Sequence, residues 1–190
     1  MRLWAISDLH LASAINREAL AGLPHYGPDW LILAGDVAER SEHFHLAFQS
    51  LTRRFAKVIW TPGNHDLWTV TEDLEFAGLG GDTKYRAIVA LARSYGVLTP
   101  EDPWPVWTGP GGPCTIAALF TLYDYSFRPA DIARADVVAW AREGRAACAD
   151  EMFLNPAPYA SREDWCHALC AQAEARLTAL DPALPTVLVN

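Results

Sequence analysis

Three short apolar runs mark the first third of the chain, and each ends abruptly in polar residues. Residues 3–6, 29–34 and 57–60 are the runs. Apolar stretches of this length, bounded by turn residues, read as strands buried on both faces. Between them, residues 14–22 predict a short helix and residues 41–55 an amphipathic one, with Phe44, Phe48, Leu51 and Phe55 on one stripe. Strand–helix–strand–helix–strand is the pattern of a parallel α/β sheet.

The second half continues as alternating elements. Gly78-Leu79-Gly80-Gly81 breaks the pattern, and residues 83–95 predict a helix with Tyr85, Ile88, Val89 and Ala92 facing inward. Val106-Trp107 and residues 115–120 flank Gly109-Pro110-Gly111-Gly112, the pattern of a hairpin with a loose turn. A polar–aromatic loop over residues 123–129 leads to a predicted helix over 131–147. Ser161-Arg162-Glu163-Asp164 has the form of a capping box, with Asp at the third helical position. The helix it opens lines up Trp165, Leu169, Ala173, Leu177 and Leu180, and Asp181-Pro182 stops it. Residues 186–190 predict a last buried strand. No internal repeat, low-complexity tract or linker divides residues 1–190, so a single domain is expected, with 121–180 long enough to cap a site.

The chemistry gathers where the three first strands end. They end at Ser7-Asp8-Leu9-His10, at Gly35-Asp36 and at Thr61-Pro62-Gly63-Asn64-His65-Asp66. In parallel sheets, ligands bind beyond the carboxyl ends of strands, so Asp8, His10, Asp36, Asn64 and His65 are expected on one rim. Two carboxylates, an imidazole and an amide oxygen form a mixed oxygen–nitrogen donor set that suits Mn, Fe or Zn. On an extended segment, Asp8 and His10 would point the same way and grip one ion. Asp36 could bridge two ions, a pair that can activate a water and clamp an in-line phosphoryl displacement. His65 could protonate a leaving alkoxide, with Asp66 holding the ring. Taken singly, each of these residues is also ordinary turn chemistry.

Composition narrows the partners. The chain has 190 residues, half of them hydrophobic, and a net charge of −8. That charge argues against sequence-blind binding to nucleic acid, while a phosphoester held at a local metal centre stays compatible with it. No stretch reaches the roughly 20 apolar residues of a membrane span. The N-terminus meets polar residues too early for a signal peptide. A cytoplasmic location is therefore expected, with Cys114, Cys148, Cys166 and Cys170 as reduced thiols.

Asp8-x-His10, Gly35-Asp36 and Gly63-Asn64-His65-Asp66, in this order and spacing, resemble the first three signature blocks of the calcineurin-like metallophosphoesterases. The resemblance covers about the first 70 residues. It implies a four-layer α/β/β/α sandwich and two divalent metal ions, Mn foremost with Fe or Zn as alternatives. Asp8 and His10 would hold the first ion, Asp36 would bridge, Asn64 would hold the second, and His65 would serve as the acid or substrate-orienting residue. The implied reaction is hydrolysis of a phosphomonoester or phosphodiester by a metal-bridging hydroxide, with a small molecule or nucleotide as the expected substrate. The family also carries a lone His after a later strand and a Gly-His-x-His block, and neither occurs in residues 1–190. The expectation is thus the N-terminal two-thirds of such a domain, with residues 186–190 as a poorly covered edge. Without those histidines, a non-catalytic binding or scaffold protein on the same fold is the alternative. A dinucleotide-binding sheet is disfavoured, because the first strand leads into carboxylate and imidazole instead of a Gly-rich turn.

Four further features admit a bland and a functional reading. Cys166, His167 and Cys170 could hold a metal, but on one helix they read more simply as residues beside the core. His43 and His45 read as surface residues near a helix start. Arg128, among Tyr123, Asp124, Tyr125 and Phe127, could clamp a phosphate or close its own loop. Trp68 could line the cleft or fill the core.

Overall fold

The computed structural model describes residues 1–71 and 73–190. The three N-terminal apolar runs are β1 (Leu3–Ile6), β2 (Gly27–Ala34) and β3 (Phe55–Thr61), parallel strands in the order β1-β2-β3. Their crossovers are α1 (Ala14–Ala21) and α2 (Ser41–Thr52). The register pairs Ile6 with Leu33 and Ala34 with Thr61. All three strands therefore end at one level, and the loops that follow them share a rim.

Strand alternation sorts β2 and β3 between two cores. Leu31, Leu33, Val58 and Trp60 face one side. They pack with Phe44, Phe48 and Leu51 of α2 and with Tyr85, Ile88, Val89 and Ala92 of α3 (Gly81–Ser94). Ile32 and Ile59 face the other side and meet Trp107, Ile116 and Ala118. Those residues belong to a second sheet, in which β4 (Val106–Trp107) runs antiparallel to β5 (Cys114–Ala118) and β6 (Thr186–Val189) joins β5 in parallel. α6 (Arg162–Thr178) lies beside this sheet, with its buried Trp165 and Leu169 joined to the first core. Its Ala173 and Arg176 share a cleft with Ala118 and Phe120, and Leu177 shares one with Thr186 and Leu188. Helices, sheet, sheet and helix give the expected α/β/β/α layering. β1 and β6 are edge strands, and Trp4, Ile6, Val187 and Leu188 on them are exposed.

Three element boundaries differ from the pattern. α2 stops at Thr52, and Phe55 opens β3 instead of extending the helical stripe. Arg54 causes the turn: its guanidinium donates to the carbonyls of Leu23, Ser50 and Ala21 and ties the ends of α1 and α2 together. Phe55 is still buried, stacked on Tyr26 at 4.4 Å. The single helix expected over 131–147 is instead a 3₁₀ turn at 134–136 followed by α4 (Val137–Glu143), with α5 (Asp150–Phe153) beyond. Only Val137 of α4 is buried, so no apolar stripe carries that helix further. Phe120 lies past the end of β5, wedged between Tyr85 and Trp165. Ser161 caps the helix, but only half of the expected capping box forms: its Oγ accepts the Asp164 N–H at 3.0 Å, while the Asp164 carboxylate accepts from the Ser161 hydroxyl at 2.8 Å in place of its backbone N–H.

Candidate metal centre

Backbone hydrogen bonds zip the first two strand-end loops together. The N–H groups of Asp8, His10 and Leu11 donate to the carbonyls of Gly35, Asp36 and Val37 at 3.0–3.2 Å. This extends the β1–β2 ladder past the strands and anchors it with the fully buried Leu11, Val37 and Ala38. The second and third loops touch through glycine. A Cβ on Gly35 would lie 2.7 Å from the Gly63 nitrogen, and one on Gly63 would lie 2.1 Å from Oδ1 of Asp36. Glycine at both places lets the Asp36 carboxylate settle into the 63–65 turn, where the His65 N–H donates to Oδ1 at 3.0 Å.

The donors converge on that rim. Carboxylate and imidazole atoms of Asp8, His10 and Asp36 all lie within 4.8 Å of one another, and His10 Nε2 is 3.7 Å from Asp8 Oδ1. Ligand bonds of about 2.1 Å let one ion span such a set, and the oxygen–nitrogen chemistry suits a divalent transition metal. The convergence does not come from an extended segment, as the i, i+2 spacing suggests. Asp8, His10 and Asp36 have φ of 57°, 40° and 51°, left-handed backbone past the strand ends. Side chains other than glycine rarely adopt this region, and functional sites hold many of the exceptions. His10, Glu39 and His65 form a second such group, with the two imidazole rings 4.7 Å apart, edge to face.

Glu39, not Asp66, holds His65. Glu39 Oε1 lies 3.0 Å from His65 Nδ1. An ionised carboxylate only accepts, so Nδ1 carries the proton and Nε2 is the ring's other nitrogen. Asp66 faces the other way because the chain turns through a 3₁₀ helix at 65–67, which separates neighbouring side chains. It is fully buried and accepts the N–H groups of Val37, Ala38 and Gly63 and the Trp60 indole. Burial pushes its carboxyl up to about 7, the Asp36 charge adds to this, and the backbone donors oppose it. Asp66 thus staples the second loop to the third.

The Asn64 amide is held from a distant segment. Its Nδ2 donates to Asp150 Oδ1 at 2.8 Å. Asp150 also accepts from the Trp68 indole and from the Tyr123 hydroxyl at 2.6 Å. Burial raises the pKa of Asp150, but these donors and the Arg162 charge outweigh it and hold the carboxyl below its usual range. Trp68 is half-buried and packs against the helical core, with its ring also against His65, centroids 3.5 Å apart. Glu39 lies three residues past Asp36 and was within reach of the motif. Asp150 is 86 residues from Asn64 and carries no local signal.

The remaining candidates resolve locally. Arg128 donates to the carbonyls of Ile132 and Tyr125 and closes its own loop. His167 pairs with Asp124 at 3.0 Å, while Cys166 and Cys170 lie 4.0 Å apart beside the core. His45 bridges Tyr95 and Glu75. His43 is not a free surface residue: it is half-buried, and that burial pushes its pKa down despite the Glu42 charge. Lys84 is buried inside the helical core, and its Nζ donates to the carbonyls of Glu39 and Trp68, one on each side of the rim.

Comparison with known proteins agrees with this fold. A family description, calcineurin-like phosphoesterase, matches residues 1–170. The chain is 48% identical over 190 residues to the acyl-carrier-protein phosphodiesterase PptH of Mycobacterium tuberculosis, covering 99% of this chain and 58% of that protein. It therefore spans little more than half the length of that relative. The crystal structure of the phosphopantetheinyl hydrolase PptH from the same organism superposes with a TM-score of 0.94, covering 99% of this chain and 67% of that one. No helix among the described residues is long and apolar enough to cross a membrane. With the signature blocks converging on one rim of a two-sheet sandwich, the chain belongs to the calcineurin-like phosphoesterase family.

Proposed function

We propose that the rim is the active site of a metal-dependent phosphodiesterase. The convergence of Asp8, His10 and Asp36 carries this reading. Asp8, His10 and Asp36 would hold one divalent ion, and Asp36 and Asn64 would hold a second. Such ions supply Lewis-acid activation of water and neutralise charge on the phosphoryl oxygens. His65 is the proton donor to the leaving alkoxide. Glu39 fixes its Nδ1–H and stabilises the imidazolium, leaving Nε2 to deliver the proton. Trp68 supports the ring from behind.

The substrate we propose is a phosphodiester that tethers a phosphopantetheinyl arm to a carrier protein. The support is the 48% identity to an enzyme named for that bond. This moves the expectation from a small molecule or nucleotide to a protein-bound phosphoester. The test is mass spectrometry of phosphopantetheinylated carrier protein incubated with the chain and Mn²⁺, alongside p-nitrophenyl phosphate and its bis-ester. Loss of the arm, with bis-ester cleavage and little monoester cleavage, is expected. Asp36→Ala abolishes turnover, and His65→Ala lowers kcat about 100-fold or more at unchanged metal content. Retained turnover in Asp36→Ala would remove the two-ion site, and an intact carrier protein beside a cleaved bis-ester would remove the substrate.

A further inference from the structure

Asn64 can meet an ion only through its oxygen, and an amide rotated by half a turn presents NH₂ in its place. Something must therefore fix which way it faces. The Asp150 carboxylate only accepts hydrogen bonds, so its 2.8 Å contact with Asn64 has to be made by Nδ2. That turns Oδ1 to the opposite side of the amide. The same carboxylate accepts from the Trp68 indole, against whose ring His65 lies. Tyr123 holds it from behind, and the residue is 2% exposed. The Thr69 N–H donates to the carbonyl of Phe153, so α5 is fastened to the third loop at a second point. Both Asp150 and Tyr123 lie in the segment over 121–180.

Resting on the metal reading above, we propose that Asp150 is a positioning residue. It sets the Asn64 amide with its oxygen toward the ion and the Trp68 indole against His65, so that the capping segment completes the metal centre. Cap and centre are then one unit: displacing α5 releases a ligand. Partners that orient metal ligands are worth about 10–100-fold in affinity when removed.

The test is Mn²⁺ titration by calorimetry of wild type, Asn64→Ala, Asp150→Ala, the double variant and Asp150→Asn. Asp150→Ala should weaken binding about tenfold or more, as Asn64→Ala does, and the double variant should be no weaker than either single one. Asp150→Asn can still offer an acceptor oxygen to Asn64 and should recover most of the affinity. Equal losses with recovery by Asn support the proposal. Additive losses, or a normal Asp150→Ala where Asn64→Ala is weakened, overturn it and leave Asn64 a ligand. An unaffected Asn64→Ala overturns the ligand reading and the positioning role with it. Should Asp150→Ala not fold, the side-chain amide protons of Asn64 in the wild type decide. Slow exchange by NMR, lost in Asp150→Asn only in part, supports the clasp. Exchange at the rate of a free amide overturns it.

Discussion

At the scale of single residues, two carboxylates hold the site's side chains from outside the donor set, Glu39 behind His65 and Asp150 behind Asn64. Glu39 gives His65 its tautomer, so Glu39→Ala should lower kcat about 10–100-fold with metal content unchanged, checked by steady-state kinetics beside elemental analysis. Lys84 presents a different case. Burial pushes its pKa down to about 8, and the charges of Asp73, Asp66 and Glu39 only partly offset this. Between about 8 and the usual lysine value of 10.5, the unfolded chain holds a proton that the folded chain has lost. Stability therefore rises with pH across that window. Lys84→Met should abolish the rise and cost about 2 kcal/mol near neutrality, since two buried carbonyls lose their donor. Urea unfolding at pH 7, 8 and 9.5 tests both. The gathering of Asp8, His10, Asp36, Asn64 and His65 at one rim was legible because each lies in a loop that follows an apolar run. Asp66 was misassigned because adjacency in sequence hides the 3₁₀ turn that sends it into the core.

At the scale of elements, capping by remote groups recurs. The Ser41 N–H and hydroxyl at the start of α2 both donate to Asp73, at 2.7 and 2.6 Å, and the N–H groups of Glu75 and Phe76 donate to it at 3.0 Å. Burial raises the pKa of Asp73, yet these donors overcome it and leave the carboxyl below its usual value. Its stabilisation is present in full above the unfolded value of about 3.9 and is lost as pH falls through the lower folded value. Asp73→Ala should cost about 1 kcal/mol at pH 7, and the gap to wild type should narrow below pH 4 in thermal melts. Periodicity located α3 and α6 because each has an apolar stripe. It overran α2, where Arg54 redirects the chain, and it joined residues 131–147, where only Val137 is buried in α4.

At the scale of the whole molecule, the sandwich was legible in part. Apolar strands separated by amphipathic helices dictate the first sheet. The pairing of β6 with β5 and the reach of α5 to Asn64 depend on contacts far apart in sequence, which no local pattern encodes. One feature of the rim bears on the protein as an evolving object. Left-handed backbone costs a residue with a Cβ about 1 kcal/mol, and glycine is spared that cost. Asp8 sits there largely exposed, so Asp8→Gly should match or exceed the wild-type melting temperature while losing turnover. Selection for thermal robustness alone would drift toward an inert, sturdier chain. On the proposed reading of the rim, only selection for chemistry keeps the aspartate in place.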